Sequence, residues 1–324
     1  MQTIFEFGGT GVSPVHGERT NNTSTVPPSI FTGAGPFKLM GRVFFTLFAI
    51  ALLIVVSAGC ENENTRNEPA TPIVIVSVPP QAQFVKRLAG DRVQVEVMIA
   101  PGANPTTYEP TMRQMRAMEQ AFLYVKIGHP AFPFERAWLD QLLAEREHIT
   151  VVDCAQGLDR IEGDPHIWLS PKHVHVMVET IADALQQALP EHAEAIASNL
   201  ASFHAEIDAL DEEIRAMLAP HEGKRFVVFH PAWGYFANQY GLEQIAIEHE
   251  HKHPAADHVA EVIALARREN IKVVFVQPQF SQASAETVAE QIDGRVVTID
   301  PLARNWLTNM RDVARALRDG LSDQ

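Results

Sequence analysis

Four side chains able to hold a transition metal follow short apolar runs in this chain. His129 comes after FLYVKI, His166 after ITVVD, His230 at the end of RFVVFH, and Asp300 at the end of RVVTID. Imidazole nitrogens with one carboxylate suit Zn2+ best, with Mn2+ or Fe2+ as alternatives. His166 lies in GDPHIWLSP, where Asp164 is placed either to orient the imidazole from behind or to act as a solvated turn carboxylate. Taken singly, each histidine reads equally well as a polar turn residue. What points to a site is their joint placement, two in each half of the chain and each after a different strand. A further group opens at Glu248 in EHEHKHP, where His249, His251 and His253 alternate. Extended backbone would put these three on one side, to gather cations at a cleft mouth or simply to face solvent. Glu248 is a candidate acidic neighbour of the site, and His249 a candidate auxiliary ligand.

The elements that must position these residues are legible as two similar half-chains. PIVIVSV, VQVEVMI, FLYVKI and ITVVD are followed later by RFVVFH, EQIAIE, KVVFVQP and RVVTID, with amphipathic segments between them. Continuous apolar strands alternating with helices predict parallel sheets covered on both faces. In such sheets ligands bind where loops gather at the carboxyl ends of the strands. Between the halves, Glu191 to Ala219 contains no proline or glycine, and Ala193, Ile196, Leu200, Phe203, Ile207, Leu210, Ile214 and Met217 repeat at steps of three and four. This spacing predicts one amphipathic helix of about 43 Å, a rigid strut between two domains. The expected layout is a leader and signal over 1–59, a tether over 60–70, an N-terminal α/β lobe over 71–189, a linking helix over 190–221 and a C-terminal α/β lobe over 222–324.

With 324 residues and 46% hydrophobic content the chain can bury two such cores. A formal net charge of −14 argues against nucleic acid as a partner, because phosphate contacts need a basic face. The two cysteines, Cys60 and Cys154, have no CxxC neighbour, so neither a thiolate zinc site nor a disulfide framework is expected. Cys154 ends a strand and is given no role. Cys60 follows a basic region and the uncharged run Val43–Gly59, the layout of a secretory signal and slightly short of a membrane span. Ser57-Ala58-Gly59-Cys60 resembles a bacterial lipobox with serine where leucine is usual, and an uncleaved anchor is the alternative. Met40 is an alternative start, and residues 1–37 show no periodicity.

The motifs PGANPTTYEPT, DPHIWLSP, VFHPAWGYFANQYGLEQIAIE, VVFVQPQFS and VVTIDPLA resemble the zinc and manganese solute-binding lipoproteins of bacterial ABC importers, the TroA-like class, over about residues 71 to 318. The resemblance implies two α/β domains bridged by a long helix, one metal between them, and delivery to a membrane permease without chemistry on the cargo. It implies His166, His230 and Asp300 as ligands. The chain departs from the family at Thr106, which stands where the first-domain loop usually carries histidine, and GLDRIEG replaces the usual histidine-rich loop. Three outcomes follow from Thr106: His129 supplies the missing imidazole, water completes the site, or the ligand has changed. Tyr108 reads as loop packing or a cleft wall, and Trp168, Trp233 and Trp306 as core or domain contacts. The expected protein is a lipid-anchored, extracytoplasmic monomer with no enzymatic activity. The competing readings are a carrier of a siderophore or cobalamin, a zinc hydrolase using an open coordination position, and an adhesin.

Overall fold

The computed structural model describes residues 71–248 and 255–324. The leader, the tether with Cys60, and His249, His251 and His253 lie outside the described residues. Residues Glu68–Gln324 form one compact unit. Among its described residues are two four-stranded parallel sheets of identical connectivity. The first comprises β1 (Ile73–Val76), β2 (Gln94–Val97), β3 (Ala121–Lys126) and β4 (Thr150–Asp153), in the order β2-β1-β3-β4. The second comprises β5 (Arg225–Val228), β6 (Glu243–Ala246), β7 (Val273–Val276) and β8 (Arg295–Thr298), in the order β6-β5-β7-β8. The inner strands β1 and β7 are buried at every position, as their unbroken Ile/Val/Phe runs require. The ladders are shorter than the apolar runs because Ile99, Ile127, Ile247 and Ile299 continue into the core beyond the last strand pair.

Local chemistry fixes where the helices begin. In α1 (Pro79–Ala89) two prolines occupy the first turn, where a missing N–H costs nothing, and Gln81 Oε1 accepts from the backbone N–H of Ser77 (3.0 Å) and of Val78 (3.1 Å). A Thr111–Gln114 capping box starts α2 (Met112–Met118). Pro133 alone occupies the first turn of α3 (Pro133–Leu143). Ser170 caps α4 (Pro171–Ala188), its Oγ accepting from the His173 N–H at 3.2 Å.

The predicted strut is α5 (Ala193–Leu218), 26 residues and about 39 Å long, flanked by 3-10 turns at Pro190–His192 and Ala219–His221. Its buried stripe is Ile196, Phe203, Ile207, Leu210, Ile214 and Leu218. Leu218, not the expected Met217, closes the stripe, because the helical phase has rotated Met217 to its edge. The remaining helices are α6 (Gly234–Gln239), α7 (Ala256–Arg268), α8 (Gln282–Gln291) and α9 (Trp306–Ser322).

The strut packs against α1 and α4 on one side and α9 on the other. Asn199 Nδ2 donates to the Leu88 carbonyl (2.8 Å) and Arg87 pairs with Glu206, while Arg311 Nε donates to Glu213 (2.6 Å) and Tyr240 Oη to Asp211 (2.7 Å). One apolar cluster therefore runs from Ile73 through α5 to Leu321, and a smaller one lies under Val227, Val274 and Val276 on the far face of the second sheet. Direct lobe-to-lobe bonds add to this. Trp168 Nε1 donates to the Pro301 carbonyl (2.7 Å), Trp306 Nε1 to the Trp168 carbonyl (2.7 Å), and the Ile161 N–H to Tyr235 Oη (2.9 Å). Among the described residues no helix is long and apolar enough to cross a membrane.

Candidate metal centre

The loops that leave the carboxyl ends of the strands carry the expected residues: Thr106 after β2, His129 after β3, His166 after β4, His230 after β5 and Asp300 after β8. His166 and His230, one from each lobe, come together with ring centroids 5.4 Å apart and planes at 79°. Both are nearly buried. His166 Nδ1 lies 2.7 Å from Asp164 Oδ1, and His230 Nδ1 lies 2.6 Å from Glu248 Oε2. An ionised carboxylate only accepts, so each Nδ1 carries the proton and each Nε2 carries the lone pair. A histidine oriented in this way by a carboxylate behind it is a metal ligand's usual arrangement. Burial lowers the His230 pKa below the ordinary histidine value, opposed by the bond to Glu248, so the ring favours its neutral, ligating form.

The surrounding chain holds both imidazoles. Asp164 Oδ1 also accepts the His166 N–H (2.9 Å). Gln277 clamps the His230 backbone, receiving its N–H (3.3 Å) and donating to its carbonyl (2.7 Å). His230 stacks on Phe280 at 4.7 Å, and Trp168 meets the edge of His166 at 5.2 Å. Asp164 reaches its place because Gly234 faces it across the lobes: a Cβ on Gly234 would stand 2.5 Å from Asp164 Oδ2. Asp300 Oδ1 accepts from Gln279 Nε2 (3.0 Å) and from the Leu302 N–H (2.9 Å).

One pocket joins these residues. His166, His230, Thr106, Gln279 and Phe280 line it, together with Pro301 and Leu302; Asp300, the residue before Pro301, is not in the lining. Thr106 thus occupies the wall where the missing imidazole was expected, its N–H donating to Asn104 Oδ1 (2.9 Å). His129 does not line this pocket. It is buried beside it, with Nδ1 accepting the Ala131 N–H (3.1 Å). Burial lowers its pKa, Arg160 and the nearby His166 add to this, and the Asp164 carboxylate opposes it.

Beneath the His129 turn is a carboxylate that sequence reasoning passed over. Glu135 accepts from Ser77 Oγ (2.6 Å), the Ile127 N–H (2.6 Å) and the Gly128 N–H (2.9 Å), and its burial raises its pKa. Gln277 and Gln279 were also missed, although both fall in VQPQF next to a strand end. Tyr108 lines a separate groove and packs on Phe134, with Oη donating to Gln114. Trp233 and Trp306 are core, and Trp168 is both a lobe contact and a pocket wall. Cys154 is a buried free thiol whose burial pushes its pKa up.

Two parallel-sheet α/β lobes on a shared helix, with imidazoles from both lobes meeting in one pocket, define a two-lobed binding protein with a helical backbone. The chain belongs to the ZnuA family, described as zinc-uptake complex component A, periplasmic, whose model matches residues 74–320. Among its relatives, the high-affinity zinc uptake system protein ZnuA of Bacillus subtilis is 26% identical over 285 residues, covering 79% of this chain and 88% of that one. The zinc-binding lipoprotein AdcA of Streptococcus pneumoniae is also 26% identical, over 286 residues, covering 81% of this chain and 56% of that one. A crystal structure of ZnuA superposes with a TM-score of 0.74 at 38% identity, covering 78% of this chain and 99% of that chain.

Proposed function

We propose that this chain is the extracytoplasmic solute-binding component of a zinc ABC importer, capturing Zn2+ between its lobes and handing it to a membrane permease. The observation that carries this reading is the pair His166 and His230, one imidazole from each lobe, each backed by a carboxylate. Relatives named for zinc uptake and zinc binding support the choice of cargo. The proposed ligands are Nε2 of His166, Nε2 of His230 and the carboxylate of Asp300, with water completing the shell beside Thr106. A borderline-soft N/O donor set of this kind favours Zn2+, with Mn2+ and Fe2+ as weaker competitors. His129 is left outside this proposed set because its Nδ1 is committed to its own turn.

A corrin or siderophore fits less well. The pocket has about 430 Å³ of empty space with its open mouth included, and among the described residues no lysine or arginine lines it. The protein is a carrier that makes and breaks no covalent bond in its cargo. Secretion, acylation at Cys60 and action as a monomer complete the proposal. Calorimetry of the chelator-stripped full chain with Zn2+ tests it. Tight binding that disappears in both His166→Ala and His230→Ala is expected, and tight binding that survives either change overturns it.

A further inference from the structure

A second donor cluster lies away from the interlobe pocket, on the outer face of the α4–α5 hairpin. His175 and Glu179 are four residues apart on α4, and His204 and Asp208 are four residues apart on α5. Because a tight turn at Pro190–His192 reverses the chain, the two pairs face each other. The rings of His175 and His204 lie 4.2 Å apart at 36°. One ligating atom each from His175, Glu179 and His204 falls within 4.8 Å of the other two. Asp208 Oδ1 sits 2.7 Å from His175 Nε2.

His204 Nε2 is the atom that most needs a partner. It is shielded from solvent and makes no hydrogen bond among the described residues, and its carboxylate neighbour Glu179 stands 3.8 Å away. A buried polar atom left in this way is unfavourable unless something fills the gap. The geometry points to a second metal site, in which His175, Glu179 and His204 bind a transition-metal cation of the Zn2+ class and Asp208 supplies the neighbouring carboxylate. Tetrahedral zinc at about 2.0–2.1 Å from each donor sets the donors about 3.4 Å apart. The side chains of Glu179 and Asp208 are 55% and 67% exposed, so they are free to close that distance. Two imidazoles exclude Mg2+ and Ca2+ as the preferred ion, since those take oxygen ligands. An ion here would tie α4 to α5 and would be weaker than one in the pocket, because its carboxylates are exposed to solvent.

The test is equilibrium dialysis of the full, chelator-stripped chain against Zn2+, with His249, His251 and His253 replaced by alanine so that they cannot contribute. Two equivalents per chain are expected. His175→Ala/His204→Ala should remove one and leave the tighter. His166→Ala/His230→Ala should remove the tighter and leave the weaker, and in that chain zinc should still raise the thermal midpoint. The exposed substitution Glu179→Gln, which leaves both histidines in place, should weaken the second equivalent alone. An unchanged count in His175→Ala/His204→Ala overturns the second site and leaves the importer reading intact. Loss of no equivalent in His166→Ala/His230→Ala overturns that reading and leaves the second site intact.

Discussion

At the scale of single residues, the protons on the two pocket imidazoles decide what the site can hold. Asp164 and Glu248 each accept a hydrogen bond from the Nδ1–H of a histidine, which places the lone pair on Nε2. Asp164→Asn and Glu248→Gln should each weaken Zn2+ binding roughly 10–100-fold with the fold intact; calorimetry beside circular dichroism would show it, and unchanged affinity in both would remove the carboxylates from the design. Thr106 faces the same pocket as a neutral hydroxyl. Thr106→His should therefore tighten Zn2+ binding, whereas His129→Ala should leave it within a few-fold; strong loss in the latter would make His129 the fourth ligand. The positions of the proposed ligands were legible in the sequence because each follows an apolar run. Glu248's partnership with His230 was not, since it closes across 18 residues and depends on how far the chain travels beyond β6. Nor was the role of Gln279, whose amide meets Asp300 only once β7 and β8 lie side by side.

At the scale of elements, α5 carries the architecture. All eight strands and this helix could be read from the sequence, because short β-branched runs between amphipathic segments and a three-four stripe are local patterns. The exact edge of the stripe could not, since Leu218 and Met217 are adjacent and both apolar, and Met217 stays only partly buried. Leu210 is fully buried in the stripe. Leu210→Ala should cost about 2–5 kcal/mol, read by denaturant unfolding, and should lower the stability of both lobes together. Unfolding in two separated steps would contradict a shared core.

The whole molecule couples metal capture, compactness and acidity. Burial lowers the pKa of His173 and of His230 from the ordinary value of 6.5. The folded chain thus binds fewer protons than the unfolded chain once pH drops below about 6.5, so this share of stability is complete above that value and is lost as pH falls through the lowered folded values. The metal-free protein should show a thermal midpoint that declines between pH 7 and pH 5. His173→Gln, a change outside the pocket on the ring that meets Tyr235 at 5.0 Å, should flatten part of that decline. A profile level across this range would mean that neither ring stays neutral in the fold.

The hydrogen-bonded tryptophans at the lobe junction have one more consequence, an optical one. Trp306 bonds to the Trp168 carbonyl, and the Trp168 indole stands 5.2 Å from the His166 ring. A cation bound at Nε2 of that ring changes the charge facing the neighbouring indole. Tryptophan emission that changes as zinc fills the pocket is therefore an intrinsic gauge of occupancy, readable without any dye.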